Sequence, residues 1–302
     1  MSNRSVLVSV VVCTYNRAQL LHNCLGSLNK QSIDKKHYEV IVVDNNSTDD
    51  TQNVVKKTIR HHPNIRLVTE RNQGLSVARN RGWKEARGRY VAYIDDDALA
   101  EPNWIEQIVC FITNYPKVTV FGGPYSRFSI VPFPDWLPEN YYTLNLGNKI
   151  KALNLRSEWL SGSNMIFGKS VFEKYGGFKK DFGMTGKKIL YGEETELFVR
   201  LKKYGEPVYY VPKIRVRHIV SKHKLKLLWS LQNDFWHSFS YSVLIKSKLN
   251  LLKGFLSLMI SVLLIPVCLL DFKKGIMRQR LYYYLSGIFV ASGQIVGSVS
   301  KL

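Results

Sequence analysis

Three consecutive carboxylates, Asp95-Asp96-Asp97, are the first feature of this 302-residue chain that could do chemistry. Adjacent like charges repel, and clustering them is costly unless a cation offsets the repulsion. Two carboxylates spaced Asp-x-Asp can hold a hard divalent ion that also binds a diphosphate. The ordinary use of an Asp-rich stretch is a solvated turn or a helix cap, so the triplet needs support from its surroundings. His218 follows a strand-like run at 214–217. A lone His is more often structural, but a neutral imidazole here could complete a metal site begun by Asp97.

Three further clusters carry polar chemistry. Asp44-Asn45-Asn46-Ser47-Thr48-Asp49 offers a carboxylate and amides that can read the edge of a nucleobase, with Ser47 or Thr48 placed to cap the next helix. Asn72-Gln73-Gly74-Leu75-Ser76 is followed by Arg79-Asn80. Gly74 permits a tight entry into a helix, and a helix N-terminus and an Arg both suit an anion; a plain helix start with Arg79 on the surface is the alternative. Gly192-Glu193-Glu194-Thr195-Glu196 precedes an apolar run at 197–201. Acidic residues favour a helix start on dipole grounds alone. The functional alternative is that one Glu takes the proton of an attacking hydroxyl.

The elements that must position these groups follow from the hydrophobic pattern. Residues 6–13 and 39–43 are runs rich in β-branched residues, as expected for buried parallel strands. Residues 65–69 and 90–94 predict two more strands. Helices are expected over 18–30, 49–61 and 75–86. This alternation is that of a doubly wound α/β sheet, in which ligands bind outside the carboxyl ends of the strands. The clusters at 14–17, 44–47 and 95–97 fall at those ends and converge on one crevice. Residues 121–159 are irregular and rich in Pro and aromatics, a substrate loop region or a β-rich insert.

Composition narrows the class. At 45% hydrophobic residues the chain can bury a real core and is not of a disordered or collagenous type. Its four cysteines form no CxxC pair and have no His cluster beside them, so a disulfide framework or zinc site is not expected and a reducing compartment fits. The apolar run at 6–13 is too short for a signal peptide and lacks a small-residue cleavage site, so a cytoplasmic location is expected.

Taken in order, Thr14-Tyr15-Asn16-Arg17, 44–49, 72–82, Asp95-Asp96-Asp97, Gly162-Ser163-Asn164 and 192–196 resemble the family 2 glycosyltransferases of the GT-A fold, over about residues 5–220. The resemblance implies a Rossmann-like, mainly parallel sheet flanked by helices. It implies an inverting transfer from a nucleotide-diphosphate sugar to a hydroxyl of a saccharide or lipid-linked acceptor, with Mn²⁺ or Mg²⁺ as cofactor. Thr14, Tyr15, Asn16, Arg17, Asp44, Asn46, Gly74, Arg79, Asp95 and Asp96 match positions around the nucleotide sugar. Asp97 matches the metal-binding aspartate, with Asp95 and His218 as further ligands. Glu194 matches the catalytic base, beside Glu193; the family's usual Glu-Asp is here Glu-Glu. Trp159, Gly162, Ser163 and Asn164 resemble the loop between donor and acceptor sites.

Two other classes compete with this reading. A sugar nucleotidyltransferase uses a similar sheet, but no Gly-rich, Lys-containing phosphate loop lies near the N-terminus. A basic nucleic-acid-binding protein would suit the net charge of +20, but no recognised nucleic-acid motif is present, so nucleic acid is not an expected partner.

The last third changes character. From Pro207 onward fourteen Lys/Arg face two acidic residues, so more than half of the excess charge sits there. A helical stripe runs over 225–244. Residues 254–270 and 281–300 are uncharged, and Lys273, Lys274, Arg278 and Arg280 lie between them. A spanning hairpin would push these basic residues outward from a cytoplasmic catalytic domain, against the positive-inside rule. Residues 1–220 are therefore expected to form the catalytic domain. Residues 221–302 are expected to form a basic helical appendage that lies on an anionic, cytoplasmic membrane face rather than spanning it.

Overall fold

The computed structural model describes residues 6–185, 190–245, 248–268 and 274–300. Lys273 and the end of the apolar stretch at 269–270 lie outside the described residues. The chain divides into two compact units. One comprises Met1–Phe128, Tyr142–Asp181 and Glu193–Ile219; the other comprises Ser129–Tyr141, Phe182–Gly192 and Val220–Leu302.

The first unit is a mixed α/β sheet with a mainly parallel half. Strands β1 (Val8–Thr14), β2 (Tyr38–Asp44), β3 (Ile65–Thr69) and β4 (Tyr90–Tyr93) are parallel, in the order β3-β2-β1-β4. Between them run α1 (Ala18–Asn29), α2 (Thr51–Ile59) and α3 (Leu75–Glu85). Register sets Thr14 beside Asp44 and Asp44 beside Thr69, so the polar strand ends are level. Alternate residues of β1 feed two cores: Val8, Val10 and Val12 meet Leu21 and Leu25 of α1, while Val11 faces Ala78 of α3. Continuous β-branched runs are what a strand covered on both faces requires.

Beyond β4 the sheet continues through β9 (Met165–Gly168), antiparallel to both β4 and β6 (Val120–Gly122). It ends with β10 (Tyr209–Tyr210) and β8 (Lys151–Ala152). A second, three-stranded sheet pairs β11 (Val216–Ile219) with β5 (Ala98–Ala100) on one side and β7 (Tyr125–Phe128) on the other. Helices α4 (Trp104–Asn114), α5 (Lys169–Tyr175) and α6 (Glu193–Lys203) complete the unit. The region that the pattern leaves irregular thus supplies short strands to both sheets.

The second unit contains α7 (Leu227–Ile245), α8 (Lys248–Cys268) and α9 (Lys274–Val299). Helix α9 packs against both others. It runs parallel to α7, since Ser230 meets Tyr282, Asp234 meets Ser286 and Ser238 bonds to Val290. It runs antiparallel to α8, where Gly254 lies near Ala291 and Ser261 near Gly287. The small residues that dilute 281–300 in the sequence line these seams: a Cβ at Gly293 or Gly297 would stand 2.4 or 2.5 Å from a carbonyl oxygen of α7.

Candidate active site

The Asp triplet leaves β4 through a turn closed by Ala98 N–H donating to the Asp95 carbonyl at 3.0 Å. The chain then enters β5, where Ala98 pairs with His218 of β11. Ile219 N–H donates to the Asp97 carbonyl at 2.7 Å. This register brings His218 Nε2 to 3.0 Å from Asp97 Oδ1. One ligand atom each from Asp95, Asp97 and His218 falls within 4.8 Å of the others. Two carboxylate oxygens and an imidazole nitrogen form a donor set that suits Mn²⁺ or Mg²⁺.

Asp96 points elsewhere. It accepts from Thr14 Oγ1 at 2.8 Å and from Arg17 Nη1 at 2.9 Å, and the same Arg17 nitrogen lies 3.3 Å from Asp97 Oδ2. Burial pushes the Asp96 carboxyl up to about 6 despite Arg17, with Asp97 adding to the rise. Burial also raises Asp95, against the pull of Arg79. The carboxylate of Asp96 in turn holds the Arg17 guanidinium above its ordinary range. Five carboxylates (Asp95, Asp96, Asp97, Glu193 and Glu194) thus gather around two guanidinium groups, Arg17 and Arg79, and the His218 imidazole. Such a crowd of carboxylates, whose ionised forms burial disfavours, is one that a divalent cation would stabilise.

The loops after β1 and β2 are laced together. Asn16, at φ 51°, accepts from Thr48 N–H at 2.7 Å and from Asp49 N–H at 3.3 Å. Ser47 Oγ accepts from Asn16 N–H at 2.9 Å, so neither Ser47 nor Thr48 caps the next helix. Asp50 holds the N-cap position of α2, and Asp49 just before it accepts from Thr51 N–H at 3.0 Å. Asp44 is fully buried, and its two oxygens accept from Ser47 N–H and Gln52 Nε2. Tyr15 and Asn46 stand exposed beside it, Asn46 at φ 66°. Asn45 ties in the third loop, donating to the Glu70 and Asn72 carbonyls and accepting from Gly74 N–H at 2.8 Å.

Arg79 is neither on the surface nor aimed at an open anion pocket. Its side chain is 3% exposed, and Nη1 pairs with Glu193 Oε1 at 2.5 Å while Nη2 lies 3.4 Å from Asp95. Glu194 Oε2 is 3.9 Å from the same Nη1. Phe178 lies under the guanidinium at 5.6 Å. Tyr93 fixes the helix beneath it by donating to the Arg79 carbonyl. Gly162 closes the other side: a Cβ there would stand 2.4 Å from Nη2. Burial and the neighbouring Glu194 carboxylate push Glu193 up to about 8, against Arg79.

The rest of the 159–164 loop is mostly interior. Ser163 and Asn164 are fully buried. Asn164 accepts from Trp104 Nε1 at 3.0 Å and donates to the Pro124 and Ile214 carbonyls, so its amide braces the sheet. Trp159 is half-buried against the α6 side of the core.

Comparison with known proteins decides the class. The family model described as Glycosyl transferase family 2 matches residues 9–176. The chain belongs to this family. A glucosyl-dolichyl phosphate glucuronosyltransferase of Haloferax volcanii is 30% identical over 248 residues, 78% of this chain and 77% of that protein. Validoxylamine A glucosyltransferase of Streptomyces hygroscopicus is 28% identical over 67% of this chain, which spans only 53% of it. The mannosyltransferase PcManGT of Pyrobaculum calidifontis, solved with GDP-Man and Mn²⁺, superposes with a TM-score of 0.65 at 21% identity, over 96% of this chain and 88% of that one. S. aureus TarS 1–349, solved with UDP-GlcNAc, gives 0.56 at 21% identity, over 72% of this chain and 58% of that one. The fold is GT-A. The family 2 chain is a glycosyltransferase that acts on nucleotide sugars.

Several working residues of this family 2 site escape sequence reading. Gln52 and Asn45 order the loops after β2 and β3, yet Asn45 stands in the sequence only as a neighbour of Asp44. Tyr93 and Phe178 enclose Arg79 from a strand and a loop with no polar signature. Strands β5 and β7, of three and four residues, are too short to have a readable period, although with β11 they set the distance from His218 to Asp97.

Proposed function

We propose that the chain transfers a sugar, with inversion at the anomeric carbon, from a nucleotide-diphosphate sugar to a hydroxyl of a saccharide or lipid-linked acceptor in glycan biosynthesis. Asp97, Asp95 and His218 would hold Mn²⁺ or Mg²⁺; such an ion supplies Lewis-acid stabilisation of the departing diphosphate. The observation that carries this reading is the convergence of Asp95, Asp97 and His218 within 4.8 Å at the carboxyl end of β4. Tyr15 and the loop at 44–47 cradle the base. Arg17 positions Asp96 and Asp97 and adds positive charge beside the diphosphate. Glu194 accepts the proton of the attacking hydroxyl, while Arg79 holds Glu193 and steadies the start of α6. One base and a direct attack give inversion without a protein nucleophile. A lipid-linked acceptor draws support from the Haloferax relative, whose name includes a dolichyl phosphate. The catalytic region is residues 1–220, and 221–302 hold it to the cytoplasmic face of an anionic membrane.

A donor screen tests this. UDP- and GDP-sugars with Mn²⁺ or Mg²⁺ are scored for nucleoside diphosphate release. One donor class is expected to turn over, and EDTA to stop it. Full turnover in EDTA would remove the cation from the mechanism.

A further inference from the structure

Helix α8 leaves an unusual surface bare. Among the described residues it is the one helix long and apolar enough to cross a membrane, with a mean hydropathy of 1.9 over Leu249–Pro266. An all-round apolar helix is normally buried in a core or in lipid. Here only 11% of that window is buried in the protein. Gly254 and Ser261, one heptad apart, form the seam against α9. Around the rest of the helix, Leu252, Phe255, Leu256, Met259, Ile260 and Leu263 are between 48% and 70% exposed. A contiguous apolar surface of this kind marks an interaction site.

The charge of this part of the chain selects the partner. From Val220 to the end of the chain there are eleven Lys/Arg and two acidic residues. Of the acids, Asp234 is taken up by hydroxyl donors, accepting from Tyr141, Tyr282 and Ser286. An exposed apolar helix in a segment with so large an excess of positive charge matches an anionic lipid surface.

The packing of the unit then sets the orientation. Helices α7 and α8 flank α9, and α9 runs alongside both. If α8 crossed a bilayer, α9 and α7 would have to cross with it. Helix α7 would then carry Asp234 into the hydrocarbon, together with the polar contacts of Tyr191: a hydroxyl bond to Asn233, a backbone bond to Ser240 and a ring stack on His237 at 3.9 Å. At the first turns of α9, Arg278 pairs with Asp135 at 2.7 Å, both about half exposed. A charged side chain at the bilayer centre costs about 2.5–3.5 kcal/mol or more. With α8 lying in the plane of the membrane, all of these polar groups stay on the aqueous side.

We propose that the outer face of α8 docks on an anionic bilayer, with the helix lying along the membrane rather than across it. This deepens the membrane reading above and specifies the surface that makes the contact.

The test uses the full chain and vesicles of phosphatidylcholine with or without phosphatidylglycerol. Wild type is expected to sediment with the anionic vesicles and to be released by high salt. The double variant L256E/L263E is expected to bind at least tenfold more weakly. Its nucleoside diphosphate release in detergent should be unchanged, so a failure of docking is separable from a failure of the transferase reading. Because charged variants can disturb the bundle, near-isosteric probes provide a second measurement. A polarity-sensitive dye on L256C or L263C should shift to the blue when vesicles are added. Cysteines at the two ends, L249C and I265C, should both react with an impermeant maleimide added outside the vesicles. Wild-type binding by L256E/L263E, or no dye shift, would overturn the docking face. Protection of one helix end alone would overturn the in-plane orientation.

Discussion

The two units break the ordinary rules of a stable surface and core in opposite directions. The α/β unit buries charge: Arg79, Asp96, Asp97 and Glu193 are each at most 5% exposed. The helical unit exposes apolar bulk along α8. A folded chain tolerates either arrangement only where something else completes it. On the proposed function, a cation and a nucleotide-sugar donor would complete the first unit, and on the proposed docking an anionic lipid surface would complete the second.

The sharpest way to break the charged side of this comparison is to remove a group that chemistry needs and stability does not. E194Q should lower kcat by on the order of 10³-fold or more and leave the donor Kd nearly unchanged. D97A should cause a loss of similar size, but titration calorimetry should also show that Mn²⁺ no longer tightens donor binding. Loss of donor affinity in E194Q would mean that Glu194 binds substrate rather than accepting a proton.

Next in size is Arg79. R79M leaves Glu193 and Asp95 facing one another without their shared cation, and breaking a buried pair in this way costs about 3 kcal/mol. Denaturant melts should show that loss together with reduced turnover. G162A probes the same contact, because its Cβ would press on Nη2. It should lower kcat while leaving donor Kd close to wild type.

How far the sequence exposes these features depends on what kind of signal each one leaves. The parallel half of the sheet was legible because its buried strands are rich in β-branched residues and polar clusters interrupt them at the carboxyl ends. Motif order singles out Asp97 and Glu194. The environment of Arg79 could not, since its partners come from α6, from β4 and from the loop at Gly162, separated by up to 114 residues. Nor could the strand pairing that puts His218 on Asp97. In the helical unit, small residues at Gly287, Gly293 and Gly297 suggested a diluted apolar segment. They are the seam that lets α9 approach its neighbours. Composition records that they are small, not that they face a backbone.

That seam provides the matching disruption on the apolar side. G293V forces side-chain atoms against the Phe235 carbonyl and the Phe239 amide. Overpacking of this kind costs about 1–3 kcal/mol. The loss should appear as a lower melting transition of the helical unit. Binding of Mn²⁺ and donor should persist, because the ligands of the other unit are untouched.

The smallest expected effect concerns the proton on Glu193, whose carboxyl is pushed up to about 8 by burial and by Glu194. A group raised on folding binds its proton more tightly in the native state, so its stabilising contribution is complete below the unfolded value near 4.5 and is lost as pH rises through about 8. Depressed carboxylates behave in the opposite way. Glu39, for instance, is lowered against its burial by bonds from Ser9, Arg87 and Arg66, and it has finished titrating below the window of interest. Between pH 5 and pH 8 the wild-type Tm should therefore fall by a few degrees. E193Q removes the titrating proton but keeps an oxygen for Arg79, so the difference in Tm between E193Q and wild type should widen as pH rises. A pH-independent difference would mean that Glu193 is ionised throughout and that Arg79, rather than burial, sets its charge.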